Sequence, residues 1–160
     1  MPDFSALYQK PAGQAKRPPL LPDDDYKGII TGAHSDGEMG DNKTPFIQWP
    51  LRLTDFGPAV PDEWSVYNPK LNVMETIQKS DIDITKKAML GRFFFTDDAL
   101  PLLDDFLRSC GIEMDGTKTY AEVLPEVVGR RVIVTVGHYT NKTTLESRNQ
   151  VDKIVADPGA

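Results

Sequence analysis

The chain has 160 residues, of which 39% are hydrophobic, and a formal net charge of −6 at pH 7. This length fits a single domain with a real core, and the acidic balance argues against a nucleic acid wrapping the whole surface, although a local basic face stays compatible with it. A lone cysteine, Cys110, excludes an internal disulfide. No signal-peptide pattern and no apolar run of roughly 20 residues occurs, which predicts a cytoplasmic protein without a membrane partner.

Residues 1–22 are rich in proline, with five of the thirteen prolines of the chain. Because proline fixes φ and removes a backbone donor, we expect this segment to be a flexible, extended arm and not a packed element. Its basic side chains could contact a polyanion or a neighbouring subunit; they are Lys10, Lys16 and Arg17.

A single domain is predicted over residues 23–156, followed by a short tail at 157–160. Its first strand is Tyr26–Ala33, in which Gly28 and Gly32 predict a strong bend, a bulge or a close backbone approach. A polar loop is expected at Ser35–Lys43. The second strand, Pro45–Leu53, contains Pro50, which predicts an edge strand or a bulge, and its alternation places one apolar set on a single face: Ile47, Trp49, Leu51 and Leu53.

The stretch from about 54 to 89 is broken by prolines and predicts a long irregular insertion, of the kind that often carries function or mobility. A short helix is expected near Val73–Gln78. Next comes a third strand, Leu90–Phe95, and then a helix whose start is marked by Thr96 and two aspartates. Its apolar stripe comprises Ala99, Leu102, Leu103, Phe106, Leu107 and Cys110, and the cysteine is therefore expected in the core.

A second helical turn is predicted between Tyr120 and Val128, ahead of a C-terminal antiparallel ribbon. The first ribbon strand, Arg131–Tyr139, is rich in β-branched residues. A polar break at residues 140–144 separates it from a second, alternating strand that ends near Ala156. The ribbon is basic for an acidic protein, since it carries Lys142, Arg148 and Lys153 besides two arginines at its start.

The resulting order is two strands, an insertion, a third strand, a helix and two more strands. This order predicts a mainly β fold: an OB-fold-like, five-stranded Greek-key barrel with a helix between strands 3 and 4. A bent, glycine-bearing first strand suits such a barrel. A β-sandwich-like meander with a packed helix is the alternative.

Catalysis has little support in the sequence. His34 and His138 have no metal-ligand spacing with each other or with the cysteine, and we interpret both as strand residues with exposed or hydrogen-bonded rings. No phosphate-binding loop or dinucleotide motif occurs. Asp36, Glu38 and Asp41 could attract a cation, but a solvated acidic loop is the better interpretation. The chain is therefore predicted to be no enzyme and to need no metal or cofactor.

Binding of single-stranded nucleic acid is better supported, because it needs a positive groove and aromatic side chains on which bases stack. The second and third strands of an OB barrel form this platform, between the loops that follow the first and fourth strands. The residues predicted to bind nucleic acid are Lys43, Phe46, Arg52, Trp64, Tyr67, Lys86, Lys87, Arg92, Arg131, Tyr139, Lys142 and Arg148.

Most strand aromatics pack in a core, which limits the candidates for stacking. Trp49 alternates with aliphatic residues and is expected to be buried. Either Phe93 and Phe95 or Phe94 must point inward, and alternation alone does not decide which. Phe46, Trp64 and Tyr67 are then the preferred stacking residues. The aspartates of the helix should face away from any groove.

Three segments carry a resemblance: PFIQWPLRL, GRFFFTDDALPLLDDFLRSCG and GRRVIVTVGHYTNKTTLESRNQVDKIVA. Together with the first strand, over residues 26–156, they resemble phage-encoded OB-fold single-stranded DNA-binding proteins and related phage proteins of recombination and replication modules. The resemblance implies sequence-tolerant, non-catalytic binding of single-stranded DNA. Many such proteins end in an acidic tail, whereas this chain ends in ADPGA, which puts partner recruitment through a tail in doubt.

The leading hypothesis is therefore single-stranded DNA binding in phage replication or recombination, in the cytoplasm of the host. Replication or recombination proteins are further candidate partners, and a homo-oligomer is compatible with the sequence. The alternative is a structural or assembly module of a phage particle that binds protein partners. A third hypothesis, a carboxylate–metal enzyme using Asp36 and Asp41, would require carboxylates that converge in a pocket.

Overall fold

The computed structural model describes residues 19–159 and shows a mainly β protein with antiparallel sheets. Short 3₁₀ turns lie at Lys79–Asp81, Ile84–Lys86 and Leu124–Val127. The strands and α-helices, in chain order, are β1 (Asp24–Ile30), β2 (Ser35–Met39), β3 (Thr44–Asp55), β4 (Glu63–Asn68), β5 (Val73–Gln78), β6 (Ala88–Phe94), α1 (Leu100–Ser109), α2 (Tyr120–Val123), β7 (Arg131–Thr140) and β8 (Ser147–Ala156).

One sheet holds six of these strands, in the order β2-β3-β1-β7-β8, with β6 paired to β3. The long strand β3 organises the sheet, because it pairs first with β2 and then with β1, and also pairs with β6. β4 and β5 form a separate two-stranded hairpin. The predicted helix before the C-terminal ribbon is confirmed, since α1 lies between β6 and β7.

No hydrogen-bonded ladder closes the sheet into a barrel within residues 19–159. β6 and β8 are nevertheless in contact. Gly91 of β6 allows this approach, because a Cβ atom at this position would lie 3.0 Å from Cδ1 of Ile154 in β8 and 3.2 Å from Cδ2 of Leu51. The two strands therefore meet through side-chain packing.

The core lies on the inner side of the sheet. The predicted apolar face of the second strand is confirmed, and Trp49 at its centre is fully buried. α1 packs against this side of the sheet: the ring of Phe106 lies 5.8 Å from the ring of Trp49 and 5.1 Å from that of Phe93, measured between centroids. Cys110 is buried as predicted. Leu102 was wrongly assigned to the helical stripe, because it is 67% exposed on the outward side of α1.

Gly28 confirms the expected irregularity of the first strand. The pairing of β1 with β3 shifts register between Lys27 and Gly28. A Cβ atom on Gly28 would lie 3.0 Å from the carbonyl oxygen of Arg52, so a side chain here would push β1 away from β3.

Three predictions about local structure were wrong. Pro50 does not mark an edge strand: β3 has neighbours on both edges, and Pro50 falls in the gap between its pairing with β2 and its pairing with β1, where a missing N–H interrupts no ladder. The expected polar loop contains β2. The expected helix near Val73–Gln78 is strand β5, because β4 provides a pairing partner that the proline-rich sequence concealed.

The described end of the predicted arm is packed, which corrects the expectation for residues 19–22. Leu21 is 2% exposed, and its backbone N–H donates to Oδ1 of Asn149 at 2.8 Å while its carbonyl accepts from Nδ2 of the same residue. The hydroxyl of Tyr26 donates to the carbonyl of Pro22 at 2.7 Å. Lys10, Lys16 and Arg17 lie outside the described residues.

Between residues 19 and 159, none of the helices has the length and hydrophobicity that crossing a lipid bilayer requires.

Candidate nucleic-acid interface

The outer side of β3 and β6 collects aromatic and basic side chains. Inward residues of β3 alternate with outward ones, and the register with β6 sets Phe46 beside Phe94 and Gln48 beside Arg92. We define the β3–β6 face as the eight outward residues of this ladder. None of them is acidic, although the protein as a whole is; they are Phe46, Gln48, Pro50, Arg52, Ala88, Leu90, Arg92 and Phe94.

Arg92 is held over the ring of Phe46. Its guanidinium carbon lies 4.3 Å from the ring centroid, a distance at which the cation is attracted by the π electrons. Nη2 of Arg92 donates to Oε1 of Gln48 at 3.3 Å, and Nη1 donates to Sδ of Met39 at 3.7 Å. Because Arg92 is exposed, its guanidinium remains available to phosphates and bases in a defined orientation.

Phe46 itself is half-buried because it leans on β2. A Cβ atom on Gly37 would lie 2.7 Å from Cζ of Phe46, so only glycine at this position lets the ring lie against the strand. The ring therefore supports Arg92 and exposes only its edge. It offers less surface for base stacking than a fully exposed ring would.

Phe94 is the residue of this face that the sequence did not select. Phe94 is 40% exposed. The inward neighbours settle the orientation that alternation left open, since Phe93 stacks on Phe106 in α1 and Phe95 meets Tyr120 edge-on at 5.2 Å between centroids. Leu90 is 49% exposed on the same face. The sequence does not predict this exposure, because alternation in this strand leaves open which side faces outward.

Arg52 lies at the other end of β3, six residues or about 20 Å from Phe46. Its Nη1 donates to the carbonyl of Thr85 at 3.1 Å. Ile29 of β1 is the register partner of both Arg52 and Arg131, so the two arginines flank this residue on the outer side of the sheet. Arg131 therefore extends the β3–β6 face beyond Arg52 toward β7.

The two lysines before β6 differ in exposure. Lys86 is exposed and adds positive charge near Arg52, because Arg52 donates to the carbonyl of Thr85 in the 3₁₀ turn that ends at Lys86. Lys87 is half-buried, and burial lowers the pKa of its ammonium group. Lys87 therefore exposes less of its side chain than Lys86 does.

Trp64 and Tyr67 lie apart from this face, on the β4–β5 hairpin. Trp64 is half-buried against the core, and its Nε1–H donates to the carbonyl of Leu20 at 2.8 Å, so its ring supports the structure. Tyr67 is 42% exposed and donates its hydroxyl to Asn72 at 2.7 Å. Only Tyr67 of this pair offers an accessible ring.

The remaining predicted residues lie in or near the turns that flank the sheet. Lys43 is exposed in the β2–β3 turn, with a φ of 50°. Lys142 is exposed in the β7–β8 turn. Tyr139 of β7 and Arg148 of β8 are register partners next to this turn, and both are exposed. The structure thus brings Phe46, Arg52, Arg92 and Arg131 onto one side of one sheet and distributes the others around it.

A cavity of about 500 Å³ opens beside Phe46. β2 and the start of β3 form one wall of the cavity, and α2 with Phe95, which follows β6, forms the other. Its lining joins aromatic and apolar groups to two carboxylates and an imidazole; the residues include His34, Asp36, Glu38, Phe46, Phe95 and Tyr120. The hydroxyl of Tyr120 donates to Oδ1 of Asp104 at 2.6 Å; burial and this carboxylate raise the tyrosine pKa to about 12.

The described part of the chain has no group of three or more His, Cys, Asp or Glu side chains placed to hold a metal ion. His138 is exposed and bonded to Asp23 at 2.7 Å, as expected. His34 differs from expectation, because its ring is half-buried and its Nδ1 has no hydrogen-bond partner. Burial raises the pKa of the Cys110 thiol, which suits a core residue better than a nucleophile.

No protein-family model matches this chain, and no curated protein matches it in sequence.

Proposed function

We propose that this protein binds single-stranded DNA with little sequence preference through the β3–β6 face and Arg131 beside it. The observation that carries the proposal is the Phe46–Arg92 pair next to exposed Phe94, on a face without carboxylates in a protein of net charge −6. Base stacking on such side chains contributes about 1–3 kcal/mol per base, and arginines supply phosphate contacts.

The connectivity supports an OB-type arrangement for this binding. β1, β3, β6, β7 and β8 follow the order of five OB strands, with α1 between the third and fourth. In that arrangement β3 and β6 form the binding platform, and the turns with Lys43 and Lys142 form its walls. The side-chain contact between β6 and β8 is where such a barrel would close.

The biological setting that we propose follows from the resemblance of residues 26–156 to phage single-stranded DNA-binding proteins. It is a non-enzymatic role in phage replication or recombination, in the host cytoplasm, in contact with replication or recombination proteins. Coating a single strand would require no nucleophile and no metal, since stacking and charge neutralisation suffice.

The direct test is fluorescence anisotropy with a labelled oligothymidylate, repeated across salt concentrations. The oligonucleotide should exceed the roughly 4–16 nucleotides that one OB domain covers. We expect saturable binding that weakens with salt, and Arg92→Ala should weaken it further while reducing the salt slope by about 0.7, the value for one phosphate contact on a single strand.

Arg108→Ala is the matched control, because Arg108 is an exposed arginine of α1, away from the β3–β6 face, in a weak pairing with Asp105. It should leave affinity and salt slope unchanged. If the native protein gives no anisotropy change at low salt, or if both variants lose affinity equally, DNA binding by this face is wrong.

One observation favours the second candidate, a structural or assembly module. The tip of the β4–β5 hairpin exposes apolar side chains, with Leu71 at 67% and Met74 at 63%, and such patches are typical of protein contacts. Under this alternative, oligomer size measured by sedimentation should rise with protein concentration without DNA, and Met74→Ser should prevent the rise.

A further inference from the structure

Arg92 is held by contacts from two neighbouring strands. From β3, the ring of Phe46 lies 4.3 Å from the guanidinium carbon, and Oε1 of Gln48 accepts from Nη2 at 3.3 Å. From β2, Sδ of Met39 accepts from Nη1 at 3.7 Å. These two hydrogen bonds use part of the guanidinium N–H groups and leave the others for a ligand. The exposed side chain of Arg92 is therefore oriented before any ligand arrives.

Gly37 of β2 determines where the ring under this arginine lies. It is the register partner of Phe46. A Cβ atom on Gly37 would lie 2.7 Å from Cζ of the ring, 3.2 Å from Cε1 and 3.3 Å from Cε2. Because packed carbon atoms are about 3.5–4.0 Å apart, a methyl group at this position would displace the ring, and the effect would pass through Phe46 to Arg92.

The surroundings of Gly37 allow the ring to move without damage to the fold. The three atoms in conflict belong to the far end of one half-buried side chain, and none of them is a backbone atom. The φ of Gly37 lies outside the left-handed region, so the backbone at this position suits alanine. An alanine that fits the backbone also restricts the unfolded chain, which favours the folded state. Gly37→Ala should thus move the ring with little loss of stability.

We propose that Gly37 is a positioning residue for DNA binding, which acts by leaving room for the ring of Phe46 and thereby fixes the guanidinium of Arg92 toward the bound strand. The inference rests on the proposed binding of single-stranded DNA. An oriented guanidinium can donate two parallel hydrogen bonds to one acceptor group, whereas a lysine ammonium is a point charge on a flexible stem. Strand β2 takes part in binding through Gly37 and Met39.

Anisotropy titrations with oligothymidylate across salt concentrations test this role. Gly37→Ala should weaken binding by about two- to five-fold, the range that an exposed cation–π contact contributes. The salt slope should stay unchanged because no charge is removed, and the midpoint of denaturant unfolding should equal or exceed that of the native protein. Ser35→Thr is the matched control: it also adds one methyl group on the same side of β2, and it should keep the native affinity.

Arg92→Lys separates orientation from charge. In the native background it should weaken binding by a similar factor at constant salt slope, because lysine keeps the charge and loses the paired donors. In the Gly37→Ala background it should weaken binding little further, since Arg92 is already displaced. NMR of the free protein gives a second measurement: the ring current of Phe46 should shift the side-chain signals of Arg92, and Gly37→Ala should move them toward those of an exposed arginine.

Three results would refute the role of Gly37 while DNA binding stands. They are native affinity in Gly37→Ala, additive losses from Gly37→Ala and Arg92→Lys, and a loss of affinity with a lowered unfolding midpoint, since the damage would then be to the fold. Failure of the native protein to bind oligothymidylate at low salt would instead refute the proposed function, and this role with it.

Discussion

Arg52 and Arg92 are held in different ways at the scale of single residues. Arg92 rests on an aromatic ring, whereas Arg52 is fixed by the carbonyl of Thr85 in a 3₁₀ turn. Asp83 stabilises that turn, because its Oδ1 accepts from the N–H of Thr85 at 3.1 Å and from the hydroxyl at 2.5 Å. These two hydrogen bonds lower the pKa of Asp83.

We predict that Thr85→Val raises the pKa of Asp83 toward its ordinary value, since the hydroxyl bond is the largest cause of the shift. A carboxyl group whose folded-state pKa is lowered contributes stability above its unfolded-state pKa, and this contribution disappears as the pH falls through the folded-state pKa. The stability difference between native protein and variant should therefore shrink as the solution is acidified. NMR titration of the carboxyl carbon and denaturant unfolding at several pH values measure both effects.

Asp115 offers a matched control because Thr117 lowers its pKa by the same pair of contacts. Thr117→Val should raise the pKa of Asp115 and leave that of Asp83 unchanged. An Asp83 pKa that does not move in Thr85→Val would contradict the assignment.

At the scale of elements, the β4–β5 hairpin depends on few contacts with the rest of the protein. A two-stranded hairpin is marginal by itself, and the residues of β5 are exposed except for half-buried Ile77. Trp64 anchors the hairpin through the core and through the carbonyl of Leu20. The same contact ties down residues 19–22.

We predict that Trp64→Phe loosens both segments, because it removes the indole N–H donor while it keeps an aromatic ring. The loss of one such hydrogen bond costs about 1 kcal/mol. Amide hydrogen exchange should accelerate in β4, in β5 and at Leu21, with β3 unaffected. Tyr67→Phe, which removes a hydroxyl bond at the exposed end of the same hairpin, should change exchange only there; equal effects of both variants would disprove the anchoring role of Trp64.

At the scale of the whole molecule, the contact between β6 and β8 brings together two strands that no hydrogen-bonded ladder pairs. Gly91 permits it, since Ile154 and Leu51 occupy the space that a side chain would need. The contact is built from packing and not from a ladder, so its strength should respond to side-chain volume.

Gly91→Ala should lower the free energy of unfolding, because overpacking typically costs about 1–3 kcal/mol and outweighs the ~0.4–1 kcal/mol that the substitution gains through the unfolded chain. Ile154→Val removes the nearest atom and should relieve part of that loss. In a double-mutant cycle measured by denaturant unfolding, we expect a favourable coupling of at least about 0.5 kcal/mol. Ile133→Val on the outer side of β7 should instead be additive with Gly91→Ala.

Features with a local cause were predictable from the sequence. The alternation of β3 correctly predicts that Trp49 is buried, and the apolar spacing of α1 correctly predicts that Phe106 is buried. Gly28 correctly indicates an irregularity in β1. The sequence also predicts Phe46, Arg52 and Arg92 as binding residues, and the register of β3 with β6 joins them on one face. Apolar residues that recur every two or every 3.6 positions indicate the buried face of a strand or a helix, and this spacing can be read from neighbouring residues alone.

Pairing between distant segments required the tertiary structure. Alternation alone does not decide whether Phe93 or Phe94 points into the core. The packing of Phe93 on Phe106 of α1 decides it. β2 and β5 were missed because each is polar or exposed and becomes a strand only through a partner. Trp64 was assigned to stacking because its partner, the carbonyl of Leu20, lies 44 positions away in sequence. The sequence thus determined which segments could bury a face, and only the fold decided which side chains remained outside.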